Sequence, residues 1–128
     1  MVDIDGLRIY GSPWSPTFGH WAFMKPRRSV DLKATWSKIP ENLDILATHC
    51  PPYGVLDRNM LDHRCGCEVL ARELMLKRPK KHIFGHIHEY GGQSMTLANV
   101  DLFNVSILDG RYQLKNSPTI IEIKNEME

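Results

Sequence analysis

Apolar and polar positions first alternate over Leu7-Arg8-Ile9-Tyr10, the pattern of a half-buried strand entered through an Asp5-Gly6 turn. Gly11-Ser12-Pro13-Trp14-Ser15-Pro16 is expected to stop that strand, because proline lacks the ladder N–H and glycine permits a sharp turn. Residues 17–31 are aromatic, basic and irregular. A short helix is expected from Asp31 as N-cap through Leu32, Trp36 and Ile39, closed by Pro40. Leu43-Asp44-Ile45-Leu46-Ala47 is an apolar run between turn residues, which predicts a buried strand leading into Thr48-His49-Cys50-Pro51-Pro52. Gly66 to Lys77 predicts a helix, with Val69, Leu70, Leu74 and Leu76 as an imperfect apolar stripe and Pro79 as its stop. Lys81-His82-Ile83-Phe84 predicts the next strand, running into Gly85-His86-Ile87-His88. Two further strands are expected over Val100 to Leu108 and Thr119 to Lys124, separated by Asp109-Gly110. This order predicts an α/β sheet with an antiparallel flank.

Composition narrows the class. The chain has 128 residues, 42% hydrophobic and 24% charged, within the range of one globular domain with its own core. A net charge of +1 gives no reason to expect nucleic acid or an acidic membrane surface as partner. No apolar run approaches the ~18 residues of a membrane span. Met1 is followed by Val2-Asp3-Ile4-Asp5 rather than by a basic and then apolar signal segment. Cys50, Cys65 and Cys67 are too few and too close for a disulfide framework, so a reducing, cytoplasmic location is expected.

The chemistry lies at two strand ends. Ligands of open α/β sheets bind beyond the carboxyl ends of the strands, where His49, His86 and His88 can converge. Neutral imidazole is a common metal ligand, and its reference pKa of ~6.5 leaves it mostly neutral in cells. His86 and His88, one residue apart, project to one side of an extended segment. Such a spacing can serve two metals ~3.5–4 Å apart, the clamp of two-metal phosphoryl hydrolases. Gly85 removes side-chain bulk where the backbone turns into the site.

The ordered strings L-R-I-Y-G-S-P-W (7–14), L-A-T-H-C-P-P-Y-G-V-L-D (46–57) and H-I-F-G-H-I-H-E (82–89) carry a family resemblance. F-N-V-S (103–106) and T-I-I-E-I (119–123) are weaker matches. Together they resemble the calcineurin-like metallophosphoesterases, in the metallophosphoesterase-domain-containing branch. The resemblance implies a four-layered α/β/β/α sandwich and phosphoester hydrolysis, in this branch of phosphodiesters including cyclic nucleotides, by a metal-bridging hydroxide. It implies two divalent metals (manganese, iron or zinc), with His49 and His86 on one and His88 on the other.

The resemblance begins only after the family's third motif. No D-x-H, no G-D and no G-N-H occurs in residues 1–128. These motifs would supply the bridging Asp and the remaining ligands. The chain is therefore expected to be the C-terminal half of the sandwich, a mixed sheet with short helices. Zinc sites normally use at least three protein ligands, so weak single-ion binding and no turnover are expected of this chain alone. The missing half is expected from an upstream coding segment, including one cut off by a start set too late at Met1, or from a separate chain. A half sandwich also leaves an apolar face and sheet edges open, which predicts self-association. The expected partner in chemistry is a phosphoester or nucleotide. The alternative is a truncated, non-catalytic domain that binds a nucleotide or a protein.

Other residues admit both a functional and a structural role. Asp57 can position its loop near substrate or simply cap it. Asn104 is expected to support the site from behind the ligands. Tyr53 and His20 are candidates to stack on a nucleobase, against ordinary packing. Lys25, Arg27 and Arg28 read as a solvated basic loop sooner than a phosphate guide. Cys65-Gly66-Cys67 reads as the start of the helix, since no second thiol pair completes a zinc ribbon. Cys50 and His49 are neighbours whose side chains diverge in an extended segment, which disfavours a catalytic dyad. His63 and His82 are assigned to the scaffold.

Overall fold

A computed structural model describes residues 1–123. It contains β1 (Val2–Ile4), β2 (Leu7–Ser12), β3 (Ser15–Pro16), β4 (Met24–Lys25), α1 (Val30–Ser37), β5 (Ile45–Thr48), α2 (Glu68–Lys77), β6 (Lys81–Phe84), β7 (Ser94–Leu97) and β8 (Val100–Asn104). A 3-10 turn spans His88–Tyr90. Six strands form one sheet in the order β1-β2-β5-β6-β8-β7, and β3 pairs with β4 apart from it. The inner strands β2, β5, β6 and β8 are parallel, while β1 and β7 add antiparallel hairpin edges. The chain thus forms a mixed α/β sheet with two short helices, the architecture expected of half a sandwich.

Alternation along the inner strands sorts their side chains. Leu46, Phe84, Val100 and Leu102 share a buried cluster with Leu32 and Trp36 of α1 and Leu70 and Leu74 of α2. Both helices therefore cover the same face of the sheet. The opposite face carries Ile9, Ile45, Ala47, Ile83 and Phe103, joined across the strands by Ile9↔Ile45 and Ala47↔Ile83↔Phe103 and all only half-buried.

Several boundaries depart from the pattern reading. α1 starts at Val30 with Ser29, not Asp31, as N-cap: the Ser29 Oγ accepts from Leu32 N at 3.1 Å. Asp31 is instead in the first turn, paired with Lys25 at 3.0 Å. α2 starts at Glu68 with Cys67 as N-cap. Gly66 stays outside the helix because it packs against the Pro52 backbone, where an added Cβ would lie 2.4 Å from the carbonyl oxygen.

β2 runs on through Gly11 and Ser12 because Ala47 and Thr48 continue its parallel ladder. β1 was not expected; Asp5 and Gly6 both take positive φ, the two-residue hairpin turn that lets Val2–Ile4 fold back. β7 was also unexpected, since Ser94–Leu97 is wholly exposed and lacks a buried stripe. Its hairpin is made by Ala98 and Asn99, again at positive φ. β8 ends at Asn104, short of Leu108, because the Asn104 side chain accepts from Ser106 N at 3.1 Å and turns the chain off the ladder. Residues 119–123 form no strand, and Lys124 lies outside the described residues.

Candidate metal centre

β5 and β6 are parallel neighbours, so their carboxyl ends open on the same side of the sheet. His49 follows β5 directly, and His86 lies two residues beyond β6. Gly85 N donates to His49 O at 3.1 Å, which ties the two loops together. The His49 Nε2 and His86 Nδ1 atoms are 3.1 Å apart, with ring centroids 4.6 Å apart. Two imidazole nitrogens bound side by side to one ion at about 2.1 Å each lie about 3.0–3.4 Å apart. The pair therefore fits a single divalent metal by geometry and by donor type.

The backbone at this point is strained. His86 has φ +68, a left-handed conformation that glycine adopts far more readily. Buried Asn104 holds the loop in place, donating from Nδ2 to Ile87 O at 2.8 Å. Gly85 leaves room for Ser106, whose Oγ would lie 3.2 Å from an added Cβ.

His88 is oriented by a separate contact. Its Nδ1 lies 3.0 Å from the carbonyl oxygen of Asp109. A carbonyl only accepts, so Nδ1 carries the proton and Nε2 keeps a free lone pair, the tautomer a metal requires. Among the described residues, however, no three His, Cys, Asp or Glu side chains converge tightly enough to hold an ion by themselves. Two donors face each other and the third stands beside them.

Electrostatics keeps the ligands available. Burial, then the proximity of His49 and His88, lowers the pKa of His86 to about 4. Burial and His88 also lower that of His49. Both rings are thus neutral near pH 7, the state from which an imidazole nitrogen can ligate an ion once their mutual hydrogen bond is given up.

The three histidines line a cleft of about 640 Å³ together with Phe18, Trp21, Arg64, His63 and Tyr112. Phe18 stands edge-on to His86 at 6.4 Å, and Tyr112 edge-on to His88 at 5.2 Å. His63, assigned above to the scaffold, is an exposed part of this wall. Tyr53 and His20 are not among the lining residues, so the aromatic walls come from other positions. A period-based reading had no signal for them, because they sit on irregular loops.

The remaining candidates have structural partners. Asp57 is fully buried and accepts from Gly54 N at 2.9 Å, Gly66 N at 3.0 Å and the Arg64 guanidinium at 2.8 Å. It organises its own loop and offers no free oxygen to a ligand. Arg27 and Arg28 are exposed, as expected of a solvated basic loop, and both also pair with Glu68 at the start of α2. Lys25 bonds Asp31 and Thr35 and lies 4.2 Å from the Trp14 ring centroid.

His82 is scaffold of a particular kind. The Thr48 hydroxyl donates to Cys50 O at 2.7 Å, so its single proton is committed. It must then accept from His82 Nε2, 2.9 Å away, which leaves His82 Nδ1 bare and buried with no partner among the described residues. Burial lowers the His82 pKa to about 3. This chain of bonds underpins the Thr48-His49-Cys50 turn and thereby the placement of His49. The sequence offers only a histidine inside a strand, and the tertiary contact across strands reveals its part.

No family model matches the chain. It is 41% identical over 126 residues, 95% of its length, to "Metallophosphoesterase domain-containing protein 1" of Homo sapiens, and equally to that of Mus musculus. It is 37% identical over 124 residues to "UPF0046 protein T07D4.2" of Caenorhabditis elegans. The chain spans only 37% of the length of the human protein and 31% of the nematode one. The similarity extends over nearly the whole chain and so includes both histidine-bearing strand ends, the segments on which the resemblance to metallophosphoesterase-domain-containing proteins rests.

Proposed function

We propose that this chain supplies the His49, His86 and His88 side of a metal-dependent phosphoester hydrolase that acts on phosphodiesters. The observation that carries this reading is the pair of neutral imidazole nitrogens 3.1 Å apart at the ends of two adjacent parallel strands. A divalent metal pair, when bound, supplies Lewis acidity toward the phosphoryl oxygens and activates water. His49 and His86 would hold one ion through Nε2 and Nδ1, and His88 would present Nε2 to the second. Asn104 and the Thr48–His82 bond keep the two ligand loops from relaxing apart. Phe18, Trp21 and Tyr112 give the cleft apolar walls, and Arg64 and His63 add polar and basic groups for an anionic ester.

Two converging protein donors cannot satisfy even one ion, so the chain by itself binds one metal weakly and turns nothing over. The remaining ligands belong to a companion N-terminal segment. Calorimetry with manganese and with zinc tests the ligand assignment: one weak site is expected, lost in His49→Ala and in His86→Ala. The hydrolytic reading is tested by a chimera carrying this chain in place of the matching segment of the human relative. Hydrolysis of bis-p-nitrophenyl phosphate should fall at least ~100-fold when His86→Ala is introduced. Equal turnover with and without His86, or strong turnover by residues 1–128 alone, overturns the proposal.

A further inference from the structure

Two arginines line the histidine cleft, Arg27 and Arg64, and they differ in what their guanidinium groups have left to give. Arg27 donates from Nη1 to Gly66 O at 2.6 Å and to Glu68, and from Nη2 to Cys65 O at 3.5 Å. It fastens the β4–α1 connection to the start of α2, with both terminal nitrogens engaged. Arg64 donates from Nη1 to Asp57 Oδ1 at 2.8 Å, and among the described residues its side chain has no other hydrogen-bond partner. A guanidinium carries several N–H donors in a rigid planar fork, so most of those on Arg64 stay open. The carboxylate that holds it is itself fixed. Asp57 is fully buried, and its Oδ2 accepts from Gly54 N at 2.9 Å and Gly66 N at 3.0 Å. Backbone closes around the pair, with Cys65 N donating to Asp57 O at 2.8 Å and Asn59 N to His63 O at 3.0 Å. The tip of this hairpin is tied by Asn59 Oδ1, which accepts from both Leu61 N and His63 N. The loop that leaves β5 through His49 thus ends in the residue that anchors the arginine.

We propose that Arg64 is the phosphoryl-recognition residue of the cleft, donating its free guanidinium edge to non-bridging oxygens of the ester, with Asp57 as the positioning residue that holds it. This deepens the phosphoester reading of the cleft and rests on it for the substrate class. The physical advantage is preorganisation. A free surface arginine loses rotamer entropy when it grips an anion, whereas Arg64, 34% exposed and tethered to Asp57, has lost much of it on folding. Charge makes the recognition selective. Asp57 offsets the formal charge of Arg64, and Glu89 lines the same cleft, so diffuse attraction of anions is weak. What remains is directed N–H donation, which suits a group with several equivalent oxygens.

The test titrates the purified 128-residue chain, kept free of metal by a chelator, with inorganic phosphate at constant ionic strength while arginine Nε–H resonances are followed by NMR. The Arg64 resonance, identified by its absence in Arg64→Lys, is expected to shift saturably in millimolar phosphate. Arg64→Lys keeps a cation on Asp57 and so should stay folded, but an ammonium committed to that carboxylate has no fork left to offer. Its phosphate affinity should fall at least ~10-fold, while Arg27→Gln should leave the affinity unchanged. Equal affinity in parent and Arg64→Lys, saturation without movement of the Arg64 resonance, or an equal loss in Arg27→Gln overturns the proposal. In the chimera with the human relative, Arg64→Lys should raise KM for bis-p-nitrophenyl phosphate at least ~10-fold and change kcat less, a split that a merely structural role would not produce. A chimera without turnover, beside a chain that still binds phosphate through Arg64, refutes the hydrolase reading and supports the anion site. A working chimera whose KM is indifferent to Arg64 refutes the role of Arg64 alone.

Discussion

Buried His82 makes a quantitative prediction about acid. Its folded-state pKa of about 3 lies far below the ~6.5 of an exposed imidazole. The group is therefore protonated in the unfolded chain long before it is in the folded one. Its stability contribution is intact above pH 6.5, falls as the pH drops below that value, and is fully lost near pH 3. At pH 5 the unfolded state gains about 2 kcal/mol from protonating this one ring, against about 0.2 kcal/mol at pH 7. His86, lowered to about 4, adds a similar change of the same sign, reduced because the ring is partly exposed to solvent. The chain should thus lose about 3 kcal/mol between pH 7 and pH 5. Urea unfolding followed by circular dichroism at both pH values measures it. His82→Gln places an amide donor where Nε2 stood, keeps a bond to Thr48, and removes the titration. The variant should be less stable at pH 7, yet its penalty relative to the parent should shrink by about 2 kcal/mol at pH 5. Parallel pH slopes in parent and variant would refute the assignment of the buried, partnerless Nδ1 as the acid-sensitive group.

Three further outcomes follow from contacts elsewhere. Asp57→Ala strands the buried Gly66 amide, the part-buried Gly54 amide and the Arg64 guanidinium, and should cost about 3 kcal/mol in the same urea assay. A loss under 1 kcal/mol would show that the loop does not depend on it. Gly66→Ala drives a Cβ to within 2.4 Å of the Pro52 carbonyl oxygen, and should lower the melting temperature by more than the conservative Leu70→Met in the core. The half-exposed face of Ile9, Ile45, Ala47, Ile83 and Phe103 should drive self-association of the isolated chain, seen by light scattering on a sizing column. Ile83→Lys should shift it toward monomer, and a parent that elutes as a sharp monomer would count against that role.

Local pattern determined a good deal here. The strand Lys81–Phe84 matches its expected limits, and the buried β5 run and the α2 helix were legible from apolar spacing and from the proline that ends the helix. The placement of His49, His86 and His88 at strand ends follows from those elements, because a motif's position depends only on residues near it in the chain. Edges were not legible. β1 and β7 are exposed hairpin arms whose residues bury little, so no hydrophobic period marks them, and only the ladders to β2 and β8 create them. The N-cap of α1 lies two residues before the Asp31 that local pattern predicts, because Ser29 and Asp31 are both good caps. The choice fell to Ser29 once Lys25, six residues away, claimed Asp31. Contacts between distant segments decided the rest: the 3.1 Å approach of His49 to His86, the tautomer of His88 set by Asp109, and the tie from His82 through Thr48. Each joins residues more than 20 positions apart, and such pairs exist only after parallel strands have fixed which loops meet.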